Sequence, residues 1–274
     1  MPCKALKFLY RSVPGRVLLK ALTTSAVAKT GGCFLNSSLS RGLIKSFIKK
    51  NKIDVTRYEE RKYRSYNDFF TRKQKDGITF HSNDPCVVNA PCDSRLSVYS
   101  IDDDSVFTIK DAPYTLTDLL KNPELAEKFK GGYCFIFRLS VDDYHRYAYI
   151  DSGCCEPSVK IKGVLHTVQP IANERYNIYK QNSREYTIQH TDRLGTICYV
   201  EVGALMIGKI VNHHRENYHA QRSEEKGYFE YGGSTVVVLF EKNKILPDSA
   251  ILEASRQGKE CRVLWEDPVA TVLQ

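Results

Sequence analysis

A serine hydroxyl beside an unhindered carbonyl is the first candidate for chemistry in this sequence. Ser234 follows Gly232 and Gly233 and opens an apolar run, Thr235 to Phe240. Glycine permits backbone angles closed to other residues, and a β-branched and aromatic run is typical of a buried strand. The pattern predicts a tight bend opening a strand, where the Ser234 hydroxyl can face the preceding carbonyl. The alternative is a glycine turn without chemistry.

Two titratable side chains could assist such a serine, which is a weak nucleophile without a base. His145 lies in the acidic and aromatic segment 142–147, and histidine exchanges protons near neutral pH. Asp93 follows Ala90-Pro91, where a turn could expose it. Taken alone, each residue has a simpler interpretation, as a structural histidine and as an Asx-turn residue.

Other polar clusters carry weaker signals. His213, His214 and His219 lack the third-ligand spacing and acidic partner of a known zinc pattern, so we expect loop residues or phosphate contacts and no metal. Arg184 lies in a charged cluster and could pair with a lipid phosphate.

Five segments of the chain, in order, resemble landmarks of the phosphatidylserine decarboxylase family. The resemblance spans roughly Leu6 to Lys244. The segments are Phe69-Phe70-Thr71-Arg72, Ala90-Pro91-Cys92-Asp93-Ser94-Arg95, Asp143-Tyr144-His145-Arg146-Tyr147, Glu201-Val202-Gly203-Ala204 with Gly208-Lys209-Ile210, and Gly232-Gly233-Ser234-Thr235 with the following Val-Val-Val-Leu-Phe-Glu-Lys. The last of these looks like the family's self-cleavage site.

The resemblance implies a self-processing, pyruvoyl-dependent enzyme. The Ser234 hydroxyl would attack the Gly233 carbonyl, the resulting ester would undergo β-elimination, and hydrolysis would leave a pyruvoyl group at the new amino terminus. The products would be a β chain, 1–233, and an α chain, 234–274, held as a heterodimer that could dimerise further. The pyruvoyl ketone would condense with the serine amine of phosphatidylserine and take up electrons as carbon dioxide leaves, giving phosphatidylethanolamine.

The sequence departs from the family pattern at one position. Asp93 and a histidine are the family's partners for the serine, and many relatives carry that histidine three places after the one that matches His145. This chain has Ala148 there. Either His145 does both jobs or another histidine substitutes, and His166 in the segment 163–168 is the best substitute. A third alternative is loss of activity.

The residue pattern predicts an α+β fold, with a mostly antiparallel β core behind an amino-terminal basic amphipathic helical region. We place the helical region at 1–72 and the catalytic domain at 73–274. Short helices are expected within 4–30, interrupted at Pro14-Gly15, then after a Ser40 cap, at 66–71, and within 115–130, split near Asn122-Pro123. The expected strands are Ser94–Ile101, Tyr133–Leu139, Tyr147–Asp151, Ser158–His166, Glu185–His190, Gly195–Val202 and Lys209–Asn212.

The net charge of +8 is concentrated in the amino-terminal region, which has no acidic residue before Asp54. Such asymmetry favours an anionic partner, and basic amphipathic helices often lie on membranes. We expect an acidic membrane containing phosphatidylserine rather than nucleic acid, and a peripheral location on the inner face of the cell membrane. A helical subdomain packed on the core is the alternative, and a mitochondrial transit peptide is less favoured.

The sequence argues against some classes of protein and leaves others open. The nine cysteines include no Cys-x-x-Cys pair, which argues against a disulfide framework or a zinc ribbon and favours a reduced, intracellular protein. No Gly-x-Ser-x-Gly elbow surrounds Ser234, which argues against a serine hydrolase. Two alternatives stay open: another pyruvoyl-dependent decarboxylase acting on a soluble amino acid, and an unprocessed membrane- or anion-binding module.

Overall fold

The computed structural model describes residues 8–9, 12–22, 25–76, 84–102, 104, 106–109, 112–163, 182–203, 209–231 and 234–273. Helices dominate up to residue 70 and strands dominate after it. The α-helices are α1 (Val13–Leu22), α2 (Ser25–Asn36), α3 (Gly42–Asn51), α4 (Tyr66–Phe70), α5 (Leu116–Leu120), α6 (Pro123–Glu127) and α7 (Ser249–Arg256), with 3-10 helices at Ser38–Arg41 and Val55–Arg57. The strands are β1 (Val87–Asn89), β2 (Ser94–Ser100), β3 (Val106–Ile109), β4 (Ala112–Thr115), β5 (Tyr133–Leu139), β6 (Arg146–Ala148), β7 (Gly153–Cys155), β8 (Val159–Ile161), β9 (Arg184–Thr191), β10 (Thr196–Val202), β11 (Lys209–Asn212), β12 (Tyr218–Ala220), β13 (Glu225–Glu230), β14 (Ser234–Phe240), β15 (Ile245–Pro247), β16 (Cys261–Val263) and β17 (Pro268–Val272).

Antiparallel pairing organises the strands. A nine-stranded sheet has the order β12-β7-β9-β10-β14-β5-β2-β16, with β8 also paired to β9. Two three-stranded sheets, β1-β17-β15 and β11-β13-β6, and the hairpin β3-β4 complete the pairing among the described residues. The predicted α+β class with a mostly antiparallel β core is confirmed.

Strand β14 lies inside the large sheet, between β10 and β5, and all its residues are buried. Val236 and Val238 face one apolar cluster with Phe135 of β5. Val237 and Leu239 face a second cluster that contains the apolar residues of α5 and α6. Because both faces of β14 are covered, its sequence is a continuous apolar run rather than an alternating one.

Most sequence-predicted elements are present with shifted bounds. The strands predicted at Tyr133–Leu139 and Lys209–Asn212 coincide with β5 and β11. Asn122 caps α6 by accepting a hydrogen bond from the Leu125 N–H, which explains the predicted split of the 115–130 helix. The strand predicted at Tyr147–Asp151 is shorter and is β6, and the end of the one predicted at Ser158–His166 lies outside the described residues.

Two predictions for the amino-terminal helices are wrong. Pro14 and Gly15 do not interrupt a helix but lie in the first turn of α1, where proline costs no intrahelical hydrogen bond. Ser40 is not a helix cap, because its buried hydroxyl donates to the carbonyls of Leu35 and Ser37. The same hydroxyl accepts a hydrogen bond from the Tyr66 N–H and so joins this region to α4.

Within the described part of the chain, no helix is both long and apolar enough to cross a membrane.

Candidate active site

Ser234 is the first residue of β14 and lies at one end of the large sheet, paired with Leu139 at the end of β5. Its side chain is completely buried, and its Oγ has no hydrogen-bond partner among the described residues. A buried hydroxyl without a partner is costly, which makes it a candidate for function rather than for stability.

His145 follows the turn that leaves β5 at this same end of the sheet. Its Nδ1 lies 2.9 Å from the carbonyl oxygen of Asp143. Because a carbonyl only accepts, Nδ1 carries the proton and Nε2 of the neutral ring carries the lone pair. The Phe70 ring packs on the imidazole, with centroids 4.1 Å apart, and the side chain is fully buried. This arrangement orients Nε2 as a proton acceptor.

Two buried carboxyl groups lie beside His145. Asp93 precedes β2, and its Oδ1 accepts a hydrogen bond of 2.9 Å from the Trp265 N–H. Burial raises the pKa of Asp93, against the effect of hydrogen bonds from the backbone N–H groups of Trp265 and Tyr144. Burial also raises the pKa of Asp143 to about 6, and the charges of Asp142 and Asp93 add to that rise. Both carboxyl groups therefore hold protons more tightly than exposed aspartates do.

The segment 66–72 is attached directly to this site. The Arg146 guanidinium donates to the carbonyls of Thr71 and Arg72 and forms an ion pair with Glu225. The Arg72 guanidinium, fully buried, lies over the Tyr58 ring at 4.3 Å. Two of the segments that resemble family landmarks are therefore in contact. The predicted division of the chain at 72/73 stays a prediction, and the contacts cross it.

Not every predicted site residue can be located. His166 and Gly233 lie outside the described residues, so their predicted roles stay predictions. Ala148 is buried in β6, and its N–H donates to the carbonyl of Pro91, two residues before Asp93. The position where relatives often carry the triad histidine is therefore beside the Asp93 turn, and its methyl group cannot transfer a proton.

The other polar clusters have structural partners. His213 bonds to Glu225 at 2.6 Å, and His214 stacks on the Tyr218 ring at 3.5 Å. Among the described residues, no group of three or more metal-ligating side chains lies together. Arg184 is buried and donates to the carbonyls of Asp118 and Leu119 in α5 and to that of Asn182, so the suggested pairing with a lipid phosphate is wrong.

The site thus combines a buried, unbonded serine hydroxyl with an oriented imidazole and two carboxyl groups of raised pKa. That combination suits a serine that attacks an adjacent acyl group while a neighbouring base takes its proton. Comparison with known proteins identifies the family of the chain. The family model described as phosphatidylserine decarboxylase matches residues 66–262. The chain belongs to the phosphatidylserine decarboxylase family.

Relatives match almost the entire chain. Phosphatidylserine decarboxylase proenzyme 2 of Clostridium acetobutylicum is 44% identical over 259 residues, which cover 94% of this chain and 88% of the relative. The phosphatidylserine decarboxylase proenzyme of Clostridium novyi is 38% identical over 273 residues, covering 98% and 92%. That of Desulfitobacterium hafniense is 37% identical over 273 residues, covering 97% and 91%. The predicted family and enzyme class are confirmed.

Sequence reasoning missed three contributors to the site. Asp143 was in a quoted motif, but only its burial beside Asp93 marks it as titratable near neutral pH. Trp265 lies beyond the segment on which the resemblance rested, and its ring stacks on Tyr144 at 6.0 Å. Tyr231 precedes the glycine pair and gave no signal beyond its position. For Trp265, being the single tryptophan of the chain was the one available hint.

Proposed function

We propose that this protein cleaves itself between Gly233 and Ser234 and then decarboxylates phosphatidylserine to phosphatidylethanolamine, using a pyruvoyl group formed from Ser234. The observation that carries the proposal is the buried Ser234 Oγ, which has no hydrogen-bond partner among the described residues and directly follows the Gly-Gly pair. The relatives are named proenzymes, which supports a processing step.

The cleavage chemistry uses the chain's own residues. The Ser234 Oγ attacks the Gly233 carbonyl carbon, the C–N bond breaks, and the acyl group moves from nitrogen to oxygen. Elimination across Cα–Cβ releases the Gly233 carboxylate, and water then replaces the nitrogen at residue 234 with oxygen, releasing ammonia. A base must remove the serine proton, and His145, with its lone pair on Nε2, is one candidate. His166 is the other.

A pyruvoyl group suits the position of Ser234. The group is built from atoms of the serine itself, so the buried space that holds the side chain is adequate for it. When formed, it supplies an electron sink for loss of carbon dioxide. His145 and Asp143 are the groups that could return a proton to the substrate carbon, since Asp143 has a pKa of about 6.

The cleaved chains should stay together as a heterodimer. Strand β14 begins at Ser234 and is hydrogen-bonded on one side to β10 and on the other to β5, both from the β chain. Further pairing joins β17 and β16 of the α chain to β1 and β2. Removal of the α chain would expose both apolar faces of β14 to water, which is unfavourable. Cleavage of one peptide bond should therefore leave the two chains folded together.

The amino-terminal helices are suited to binding the anionic surface on the inner face of the cell membrane. Val13, Val17 and Phe34 are apolar yet exposed. Exposed cations at Lys45 and Lys49 lie in α3, in a region without acidic residues. Apolar insertion and attraction to acidic lipid are the two contributions that hold a peripheral helix at a bilayer.

Two measurements on one purified preparation test the proposal. Intact mass should show two chains, with the smaller one lighter than residues 234–274 by the mass of one ammonia. Carbon dioxide release from vesicles of carboxyl-labelled phosphatidylserine should exceed release from labelled free serine. A single uncleaved mass would contradict the processing step. Equal use of free serine would instead favour a decarboxylase of soluble amino acids.

A further inference from the structure

The residue before the glycine pair has an unusual backbone and a specific tether. Tyr231 follows β13 and has φ of 23°, in the left-handed region that favours glycine. Holding a bulky residue there costs about 1–2 kcal/mol, so surrounding contacts must hold it. The side chain is 3% exposed. These contacts involve the amino-terminal helices rather than the β core alone.

The Tyr231 hydroxyl is held by two groups of α2. It donates to the Gly32 carbonyl at 3.2 Å and accepts from the Asn36 side-chain amide. Burial raises the pKa of Tyr231 to about 12, so the hydroxyl keeps its proton, and this donor, throughout the physiological pH range. The two bonds fix the ring relative to the carboxyl end of α2.

Asn36 connects this tether to the imidazole side of the site. Its Oδ1 accepts a hydrogen bond of 3.0 Å from the Asn67 amide in α4. Phe70, in the same short helix, packs on the His145 ring. A continuous set of contacts therefore runs from Tyr231 through Asn36 and α4 to His145. The same helical region therefore contacts both the segment before the scissile bond and the candidate base.

We propose that Tyr231 is a positioning residue for self-cleavage, held by Asn36, so that the Gly233 carbonyl is presented to the Ser234 Oγ. This inference rests on the proposed function. Two residues separate Tyr231 from Ser234, and the three Cα–Cα steps span at most about 11 Å of chain, so a shift at Tyr231 moves the scissile carbonyl. Misplacement of a reacting group by about 1 Å can cost roughly 10²-fold in rate. The amino-terminal helices therefore take part in maturation.

Two variants remove the tether, and Asn36→Leu also removes the hydrogen bond from Asn67. Tyr231→Phe keeps the buried ring and deletes the hydroxyl, and Asn36→Leu deletes the amide. We expect each to slow conversion of freshly made precursor by roughly tenfold or more, and the double variant to be slowed by less than the product of the two single effects, because both lose the bond between Asn36 and Tyr231. Asn36→Asp should retain fast cleavage, since its carboxylate can accept from the tyrosine hydroxyl. The rate is followed as loss of full-length chain on a denaturing gel.

Matched controls use hydroxyl and amide groups elsewhere in the helical region. Tyr63→Phe deletes a hydroxyl that donates to the Glu59 carbonyl, and Asn51→Leu deletes an amide that donates to the Phe47 carbonyl. Both should mature at the wild-type rate. Hydroxylamine, which cleaves esters, separates the steps. If Tyr231→Phe impairs acyl transfer, hydroxylamine will not accelerate its cleavage, because little ester forms.

The outcomes are distinct. If wild-type chain matures but Tyr231→Phe matures equally fast, or is rescued by hydroxylamine, the positioning role is wrong. The role is also wrong if slow maturation merely follows a lower melting temperature, measured with Ser234→Ala added so that cleavage does not interfere. If the wild-type chain never matures, the proposed function itself fails.

Discussion

Two buried polar clusters lie in the β core, and they are satisfied to different degrees. The lysine network consists of Lys226, Glu201, Asn212 and Glu185. Its Lys226 Nζ lies 2.9 Å from Glu201 and 3.1 Å from Asn212 Oδ1, and the Asn212 amide donates to Glu185 and Glu201. The serine cluster consists of Ser234, His145, Asp93 and Asp143. All four lie near the same end of the large sheet, and there the Ser234 hydroxyl has no hydrogen-bond partner among the described residues.

The contrast shows which signal distinguishes a site from a structural network. Lys226, Glu201 and Ser234 are equally buried, at 0% exposure. Burial raises the pKa of Glu201 as it does those of Asp93 and Asp143, so the direction of the shift does not separate the clusters. The partners of the central group do, because the Lys226 ammonium has an ion pair and two hydrogen bonds, whereas the Ser234 Oγ has no hydrogen-bond partner among the described residues. Substitutions should therefore affect stability in one cluster and chemistry in the other.

The largest expected effect is at Ser234. Ser234→Ala should abolish cleavage completely, because no nucleophile remains, and should leave the free energy of unfolding within about 1 kcal/mol of wild type or raise it, since an unsatisfied hydroxyl is removed. Intact mass and urea denaturation measure the two quantities. Cleavage of the alanine variant at the same bond would rule out this serine as the nucleophile.

Substitution of the two candidate bases should have the next largest effect. If His166 serves the serine, His166→Ala should stay uncleaved or mature slowly, while His145→Ala should mature but decarboxylate roughly 10²–10⁴-fold more slowly, since its proton is needed afterwards. Asp93→Ala should slow maturation with either base, because a carboxylate stabilises a charged imidazole. If His145→Ala stays uncleaved while His166→Ala matures normally, His145 is the base that serves Ser234. If both variants mature normally, neither histidine is that base.

The lysine network should respond in stability alone. Lys226→Met, made with Ser234→Ala to keep one chain, should cost about 3–5 kcal/mol in the free energy of unfolding, because it leaves the Glu201 carboxylate buried without its cation. Adding Glu201→Gln should recover part of that loss. In the cleavable protein, folded Lys226→Met should still mature. Normal stability with failed maturation would mean that the lysine network belongs to the chemistry.

The smallest effect is a dependence of stability on pH. The folded-state pKa of Asp143, about 6, exceeds the value of about 3.9 in an unfolded chain, so the folded state binds more protons between those values. Stability from this group is present below about pH 4 and is lost as pH rises to about 6, by about 3 kcal/mol. Asp143→Asn in the uncleavable Ser234→Ala protein should remove that slope.

Asp54 provides a control of opposite sign. Hydrogen bonds from Thr56 lower the pKa of Asp54, so its contribution is lost as pH falls. Asp54→Asn should therefore reduce the increase of stability with rising pH, whereas Asp143→Asn should reduce a decrease. If both variants change the slope in the same direction, the environment assigned to Asp143 is incorrect.

Local pattern was sufficient to predict some parts of the molecule. The run from Ser234 to Phe240 predicts a buried strand, and the structure places that strand inside the large sheet. The Asn122-Pro123 pair predicts the helix break, because capping and proline chemistry act within a few residues. The family landmarks predicted Asp93 and His145 as site residues; the structure places both near the same end of the large sheet, and their roles stay predictions.

Other features depend on contacts that no local pattern encodes. The hydrogen bond from Trp265 to Asp93 joins residues 172 apart, and the bond from Asn36 to Tyr231 joins residues 195 apart. Pro14 was assigned as a helix breaker because proline lacks an N–H, but its effect depends on position within the helix. Ser40 was expected to cap a helix locally, and instead bonds to Tyr66 across 26 residues.

The central location of β14 sets the order of events in the life of the protein. Ser234 becomes buried only once β14 lies between β5 and β10, so folding must precede the proposed cleavage. The precursor folds as one molecule. After the proposed cleavage, the same structure would consist of two chains, and a mature enzyme that unfolds could recover only by a bimolecular encounter. Its refolding should therefore depend on concentration, whereas that of the uncleaved precursor should not. The proposed cleavage would change few contacts in the folded protein but would remove its ability to refold as a single chain.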